Sequence, residues 1–206
     1  MTDRLPPTAE GIARAAALLA EGGIVAFPTD TVYGVAIAGS LPERLPALFA
    51  LKRRPLDRLI PILLADLAQL PAAEWVVDDR ARRLADHFWP GPLTLVLPSA
   101  DGSRTQAFRA PDHPVALALI EAAGPLLATS ANVSNEPDTG SADDVLIAFA
   151  TQQDELAAVV DGGSVPGGVP STVLDLSVEP ARILREGPLR REQLVEAVEL
   201  DGLNVV

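Results

Sequence analysis

Two short apolar runs with polar residues between them constrain the fold of this chain most. Residues 24–27 and 35–38 are apolar, and glycine or proline bounds each run. Apolar runs of about 4–8 residues bounded in this way are typical of buried strands, whereas helices are longer. Thr29, Asp30 and Thr31 then fall where the first strand ends. A turn whose side chains bond their own backbone accounts for them, and so does a binding site at the end of a rigid element.

Helical spacing alternates with further apolar runs. Ile12, Ala15, Ala16 and Leu19 recur at helical spacing between Thr8, a candidate N-cap, and a Gly-Gly stop. Further helices are predicted at 42–52, 66–70, 78–88, 142–150 and 190–198 and in the stretch PDHPVALALIEAAG. Further strands are predicted at 59–64, 93–97, 107–109, 126–128, 157–160, 172–176 and 182–184. This alternation predicts one α/β or α+β domain over residues 1–206, with parallel and antiparallel strand pairs.

The chain is strongly acidic. Its 206 residues include 16 Lys+Arg and 28 Asp+Glu, which gives a formal net charge of −12. Such a chain lacks the electrostatic footprint of a nucleic-acid binder, so a local cluster of cations has to hold any polyanionic ligand. The absence of cysteine excludes disulfides and thiolate zinc sites, and two histidines, His87 and His113, are too few for a His-based metal site. We therefore predict no metal held by protein ligands.

The N-terminal stretch MTDRLPPTAE is polar and contains no hydrophobic segment of a signal peptide. No apolar run approaches the roughly 18 residues that indicate a membrane-spanning helix. We therefore expect a cytoplasmic protein that does not span a membrane.

The only lysine of the chain lies in a cluster of cations. Fifteen of the sixteen basic residues are arginine, and Lys52 is followed by Arg53, Arg54 and Arg58. Cations that complement the dipole of a helix C-terminus account for this cluster, and so does a grip on phosphate or carboxylate. Residues two apart on a helix do not share a face. Lys52 and Arg54 therefore converge on one ligand only if the helix ends before Pro55, which disfavours helical geometry at Arg54.

Two further polar stretches follow predicted strands. TSANVSNEP carries Thr129, Ser130, Asn132 and Ser134, whose hydroxyls and backbone N–H groups either bind an anion or form a solvated turn. DGGSVPGGVPSTVLDL is not a Walker A loop, because that loop needs Gly-Lys-Ser/Thr and the lysine lies far upstream. The sequence also has no GxGxxG after a strand and no GxSxG. The residues alone predict an anion-binding α/β protein whose chemistry stays open.

Ordered motifs over nearly the whole chain resemble the YrdC-like family of threonylcarbamoyl-adenylate synthases. They are PTDTVYG at 28–34, KRRP at 52–55, FWPGPLT at 88–94, RAPDHP at 109–114, TSANVS at 129–134, PSTVLDL at 170–176 and ILREGPL at 183–189. The chain is similar to the short single-domain form, without the extra C-terminal domain of longer members.

The resemblance implies a fold and an activity. The fold is a twisted mixed α/β sheet with flanking helices around a large concave cavity. The activity converts L-threonine, bicarbonate and ATP to L-threonylcarbamoyl-AMP and pyrophosphate, usually with Mg²⁺ bridging the phosphates. Other proteins, the tRNA threonylcarbamoyl transferases, then act downstream on tRNA. Strong direct tRNA binding by this chain is not expected.

The resemblance also implies site residues. It implies that L-threonine is bound by Thr31, Arg109, Ala128 and Ser171. It implies that ATP is bound by Arg54, Arg58, Thr105, Ser130, Asn132 and Arg185. The pair Lys52 and Arg54 is implied in catalysis.

Four positions depart from the pattern of the family. Leu63 stands near a histidine of long forms, Asn135 replaces a Gly, Pro170 replaces a Glu, and Glu186 replaces a Pro. These departures leave open a paralogue that forms a different adenylate or none. An RNA-binding module and a non-catalytic nucleotide sensor are further alternatives.

Overall fold

The computed structural model of the chain describes residues 2–53, 60–71, 73–152, 155–166, 169–198 and 204–205. The strands are β1 (Asp3–Leu5), β2 (Ile24–Pro28), β3 (Tyr33–Ala38), β4 (Ile62–Leu63), β5 (Leu93–Pro98), β6 (Thr105–Arg109), β7 (Leu126–Ser130), β8 (Leu156–Val160), β9 (Thr172–Asp175), β10 (Arg182–Arg185) and β11 (Asn204–Val205). The α-helices are α1 (Ala9–Ala20), α2 (Leu45–Lys52), α3 (Asp79–Phe88), α4 (Pro114–Ala123), α5 (Ala142–Ala148) and α6 (Arg191–Val198). Single 3-10 turns lie at Pro42–Arg44 and Leu67–Gln69.

The described strands form one sheet in the order β1-β8-β2-β3-β7-β4-β6-β5-β9-β10-β11. Its centre mixes antiparallel pairs, such as β3 with β7 and β5 with β6, and parallel pairs, such as β4 with β6 and β5 with β9. The prediction of a mixed α/β sheet with flanking helices is confirmed.

Alternate residues of strand β2 enter different parts of the core. Ile24 and Ala26 pack in one apolar cluster with Phe49 of α2, whereas Val25 and Phe27 pack in another with helices α1 and α4. Successive side chains of a strand point to opposite faces, so this part of the sheet is buried on both sides. The continuous apolar run of the sequence, with no polar alternation, follows from this double burial.

Most predicted elements are confirmed, and the differences have local causes. The Thr8 hydroxyl accepts from Gly11 N at 3.3 Å and caps α1, as expected. The predicted strand 59–64 shortens to Ile62–Leu63, next to Pro61, which has no N–H to donate to a ladder. Residues 54–59, which include Leu59, lie outside the described part of the chain.

Two edge strands were missed by the sequence prediction. Asp3–Leu5 pairs in parallel with β8, and Asn204–Val205 pairs in parallel with β10. Neither segment has the apolar run that predicts a strand, so pairing with a formed sheet decides their conformation. Among the described residues, no helix is both long and apolar enough to cross a membrane.

Candidate anion-binding cavity

A cavity of about 300 Å³ opens over the centre of the sheet. Strands β3, β4, β5, β6, β7, β9 and β10 contribute to its wall, together with the turn between β2 and β3. Its polar lining consists of Thr29, Thr31, Thr94, Arg109, Thr129, Ser130, Ser171 and Arg185. Its apolar lining includes Val32, Pro61, Leu63, Val96, Ala107 and Ala128. A largely apolar concavity with a few convergent polar groups is typical of small-molecule sites.

The turn between β2 and β3 is organised by Thr29. Its hydroxyl donates to Val32 O at 2.6 Å and accepts from the backbone N–H groups of Thr31 and Val32 at 3.2 and 3.3 Å. The predicted turn, in which a threonine bonds its own backbone, is therefore present. The same turn holds the Thr31 hydroxyl at the cavity, 3.1 Å from the Thr29 hydroxyl. The two interpretations of this stretch, turn and binding site, are thus compatible.

Arg109 is a buried cation fixed by three partners. Its guanidinium donates to Gly91 O at 3.0 Å, to Thr31 Oγ1 at 3.1 Å and to Asp30 Oδ1 at 2.5 Å. Burial lowers the pKa of Arg109, and the charge of Asp30 and its hydrogen bond act in the opposite direction. An arginine keeps its charge in proteins, so the cavity contains a positive group held in one orientation.

Arg185 brings a second guanidinium to the cavity. Its Nε donates to Ser171 O at 3.0 Å and its Nη2 to Ser171 Oγ at 3.2 Å. The residue as a whole is exposed, but its guanidinium is partly buried, and this burial lowers the pKa of Arg185. Repulsion by Arg109 lowers the pKa further, whereas attraction by Asp138 raises it. Two cations that destabilise each other across one cavity favour an anionic ligand between them.

Lys52 lies in the protein interior beside the cavity. Its side chain is among the largest fully buried ones, and the residue is 2% exposed. The ammonium donates to Ser130 O, to Asn132 O at 2.8 Å and to Asn132 Oδ1 at 3.1 Å, and the Ser130 hydroxyl donates to the same Oδ1 at 2.7 Å. The lysine at the end of α2 therefore holds the polar stretch that follows β7. Arg53 caps α2 in the left-handed region at φ 50°, so the helix ends before Pro55. This meets the condition stated above for Lys52 and Arg54 to converge on one ligand.

The predicted site residues fall into four groups. The cavity lining includes Thr31, Arg109, Ala128, Ser130, Ser171 and Arg185. Lys52 and Asn132 are buried next to Ser130 and are not part of the lining. Thr105 begins β6, on the same strand face as Arg109 but at its opposite end, and is not part of the lining. Arg54 and Arg58 lie outside the described residues.

Thr94 is a lining residue that the sequence prediction missed. It is 2% exposed, and its hydroxyl lies 2.7 Å from the Ser171 hydroxyl. The signal was available, since Thr94 is the one polar residue in the apolar run LTLVL. A buried hydroxyl needs a hydrogen-bond partner, so a threonine at such a position indicates a polar neighbour from another element.

All four departures from the motif pattern lie among the described residues, and Glu186 is exposed directly after β10. Leu63 and Pro170 line the cavity, and Leu63 is in register with Arg109 on the neighbouring parallel strand. Asn135 adopts φ 70°, a left-handed conformation that asparagine tolerates better than most residues. The usual glycine at this position is therefore replaced by a residue suited to the same backbone.

The fold and the cavity define a mixed α/β protein with a small-molecule site built around two arginines. A family model, Sua5/YciO/YrdC, described as "Telomere recombination", matches residues 17–187. The chain therefore belongs to the Sua5/YciO/YrdC family, and the resemblance predicted from its motifs is confirmed.

Relatives and solved structures agree with this assignment. A protein of Bacillus subtilis named threonylcarbamoyl-AMP synthase is 40% identical over 209 residues, which cover 96% of this chain and 59% of that protein. One of the same name from Pyrococcus abyssi is 40% identical, covering 89% of this chain and 56% of that protein. A crystal structure of P. abyssi Sua5 complexed with L-threonine has a TM-score of 0.89 at 34% identity, covering 100% of this chain and 62% of that one. The chain thus spans less than two thirds of these relatives.

Proposed function

We propose that this protein is an L-threonylcarbamoyladenylate synthase, a nucleotidyltransferase that condenses L-threonine, bicarbonate and ATP to threonylcarbamoyl-AMP and pyrophosphate. The single observation that carries the proposal is the convergence of Arg109, Arg185 and the Thr31 and Ser171 hydroxyls on one cavity. The relatives named threonylcarbamoyl-AMP synthase and the neighbour complexed with L-threonine support this choice among anionic ligands.

The proposed reaction needs no protein nucleophile. The amine of threonine gives a carbamate either by adding to bicarbonate with loss of water or by adding to the CO2 in equilibrium with it with loss of a proton. A carbamate oxygen then attacks the α-phosphorus of ATP, and pyrophosphate leaves. Catalysis therefore consists of bringing the reactants together and stabilising negative charge, which preorganised cations and hydroxyls can do.

In this proposal one end of the cavity binds the amino acid. Arg109 donates to the carboxylate of threonine, and the Thr31 and Ser171 hydroxyls bond its polar groups beside the backbone of Ala128. The apolar lining, including Leu63, surrounds the side chain of the substrate. Selection of threonine over serine depends on one methyl group and is therefore limited to about 10–200-fold.

The other end binds the nucleotide. Arg185 and Ser130 line the cavity. Ser130 is fixed by its hydroxyl, which donates to Asn132 Oδ1, and by its carbonyl oxygen, which accepts from Lys52. Lys52 acts in catalysis through this fixed stretch. Arg54, Arg58 and Thr105 complete the proposed ATP site, with Arg54 on the phosphates.

Mg²⁺ enters this proposal as part of the MgATP substrate. Among the described residues, no group of three or more acidic or histidine side chains could hold a metal ion. Mg²⁺ is often held by substrate phosphates and water with only one or two carboxylates, so a triphosphate can bring the ion with it. When bound, the ion would supply charge neutralisation at the phosphates.

The proposed product is a substrate for tRNA modification by other proteins. A mixed anhydride of carbamate and phosphate transfers its acyl part readily, so a transferase that acts on tRNA adenosine is the partner that this chemistry needs. The net charge of −12 agrees with a protein that releases the adenylate to such a transferase and does not itself bind tRNA tightly.

The test is pyrophosphate release from ATP by the purified protein, with mass detection of the adenylate. We expect release only when L-threonine and bicarbonate are both present. Release that is indifferent to threonine overturns the proposal. A panel of other amino acids distinguishes a paralogue, which would ignore threonine and respond to a different member of the panel.

A further inference from the structure

Asp30 is the carboxylate that neutralises Arg109, and the proposed function gives it no role. Its Oδ1 accepts from Arg109 Nη2 at 2.5 Å, and the two side chains are 14% and 9% exposed. A charged pair this far from solvent requires good geometry, because removal of either partner leaves an uncompensated buried charge. The pair lies at the cavity, since Thr31, the next residue, is part of the lining.

The contacts of Arg109 restrict how a ligand can approach. A guanidinium has five N–H donors. Three of them are used by Gly91 O, Thr31 Oγ1 and Asp30 Oδ1. Two donors remain, enough for one bidentate carboxylate. One remaining donor is on Nη1 and the other on Nη2, and the bonds to Asp30 and Gly91 fix the rotation of the group that carries them.

The turn that carries Asp30 is itself fixed. The Thr29 hydroxyl uses its proton in the 2.6 Å bond to Val32 O, so in the Thr29–Thr31 pair the proton belongs to Thr31. Thr31 accepts from Arg109, and its own proton goes to Thr29 or to a ligand. Thr31 and Arg109 therefore present donors whose geometry is set by the turn and by the Asp30 carboxylate that accepts from Arg109.

We propose that Asp30 is a positioning residue that aims Arg109 at the carboxylate of the amino acid. This inference rests on the proposed function for the identity of the ligand. Asp30 acts through Arg109 and not through contact with the reacting atoms.

The experiment measures the Kd of L-threonine and the Kd of ATP by calorimetry for wild type and for Asp30→Asn, which keeps the size of the side chain and removes its charge. We expect the Kd of L-threonine to rise about tenfold or more and the Kd of ATP to change less than about twofold. Asp143→Asn, which removes the exposed partner of Arg4, is the matched control and should change neither Kd.

A double-mutant cycle separates positioning from a general structural role. If Asp30 acts only through Arg109, Asp30→Asn has no further effect on L-threonine binding in an Arg109→Gln background. The inference is overturned if Asp30→Asn weakens L-threonine and ATP binding equally, or if its Kd for L-threonine equals that of wild type. It is also overturned if Asp30→Asn still weakens L-threonine binding in the Arg109→Gln background. If Asp30→Asn does not fold, Asp30→Glu keeps the charge but displaces the carboxylate, and it should show the same selective loss for L-threonine.

A second measurement does not depend on the substrate. In 15N-labelled wild type, the Arg109 side chain should give resolved, slowly exchanging N–H signals by NMR, identified by their absence in Arg109→Lys. These signals should broaden or vanish in Asp30→Asn. If wild type does not bind L-threonine, the proposed function fails, and this signal alone decides whether Asp30 orients Arg109. Signals that are unchanged in Asp30→Asn overturn the inference.

Discussion

Ser171 joins Arg185 to Thr94 through its hydroxyl group. Arg185 Nη2 donates to Ser171 Oγ at 3.2 Å, and the same oxygen lies 2.7 Å from Thr94 Oγ1. Arg185 Nε also donates to Ser171 O at 3.0 Å. The end of β10 is thereby tied to the residue that precedes β9 and to the parallel neighbour β5. A guanidinium at the cavity thus depends on a buried pair of hydroxyls.

Ser171→Ala is expected to destabilise the protein, and a second substitution is expected to restore its stability. Ser171→Ala leaves the buried Thr94 hydroxyl without this partner, which should lower the free energy of unfolding by about 1–3 kcal/mol. Thr94→Val in the same chain removes the other partner at nearly constant shape and should recover most of the loss. Urea denaturation checks both variants. A double variant no more stable than Ser171→Ala would show that the pair is not the cause.

Gly187→Ala is expected to damage the same region by overpacking. A Cβ at residue 187 would lie 2.4 Å from Thr172 N, 2.5 Å from Pro170 O and 2.6 Å from the Ser171 carbonyl carbon, and all three are backbone atoms. The chain must move, so we expect a loss of about 1–3 kcal/mol or more in the free energy of unfolding, together with weaker ATP binding through displaced Arg185.

Gly140→Ala is the control for this substitution. Its added Cβ would meet its nearest atoms at 3.7 and 3.9 Å, an ordinary contact distance, and should be nearly neutral in thermal unfolding. Similar losses in the two variants would contradict the steric explanation for Gly187.

Local patterns predicted most of the fold, because most elements carry their own signal. The apolar run at 24–27 and the Thr8 cap are examples, and both are confirmed. Strand β1 was missed because Asp3–Leu5 has only one apolar residue and becomes a strand only by pairing with β8. Short edge segments have no signal that is independent of their neighbour.

The cavity was less accessible from the residues alone. The Asp30–Arg109 pair joins residues 79 apart, and no spacing or periodicity predicts such a contact. The motif resemblance found Arg109 but not the carboxylate that neutralises it. The burial of Lys52 was also unexpected, since a charged residue at a helix C-terminus normally extends into solvent.

Lys52→Met tests this burial. The substitution keeps the length of the side chain but removes the donor to Ser130 O, Asn132 O and Asn132 Oδ1. We expect the free energy of unfolding to fall by at least about 2 kcal/mol, because hydrogen bonds to charged groups contribute about 1.5–3 kcal/mol each and the acceptors are buried.

Arg44→Met serves as the comparison for Lys52→Met. Arg44 is exposed and donates from Nε to Gly22 O at 2.8 Å, so its loss should cost less than about 1 kcal/mol. Guanidinium chloride denaturation of both variants gives the difference. Equal costs would mean that the buried contacts of Lys52 contribute little to stability.

His113 is expected to make stability depend on pH near neutrality. It caps α4, with Nδ1 accepting from Val115 N at 3.3 Å, which requires a neutral ring. Burial lowers the pKa of His113 from 6.5, against the attraction of Asp30 and Asp112. The unfolded chain therefore binds the proton first as pH falls below about 6.5, so the folded state loses stability from there down to the folded pKa.

His113→Asn isolates this contribution, because asparagine is a good N-cap that does not titrate. Denaturation at several pH values between about 5.5 and 7.5 gives the free energy of unfolding of wild type and variant. The carboxylates are common to both proteins and cancel in the comparison. The free energy of unfolding of wild type minus that of the variant should therefore be nearly constant well above pH 6.5 and should decrease as the pH falls below it. A difference that does not vary with pH, or that shifts in favour of wild type on acidification, would contradict a depressed His113 pKa.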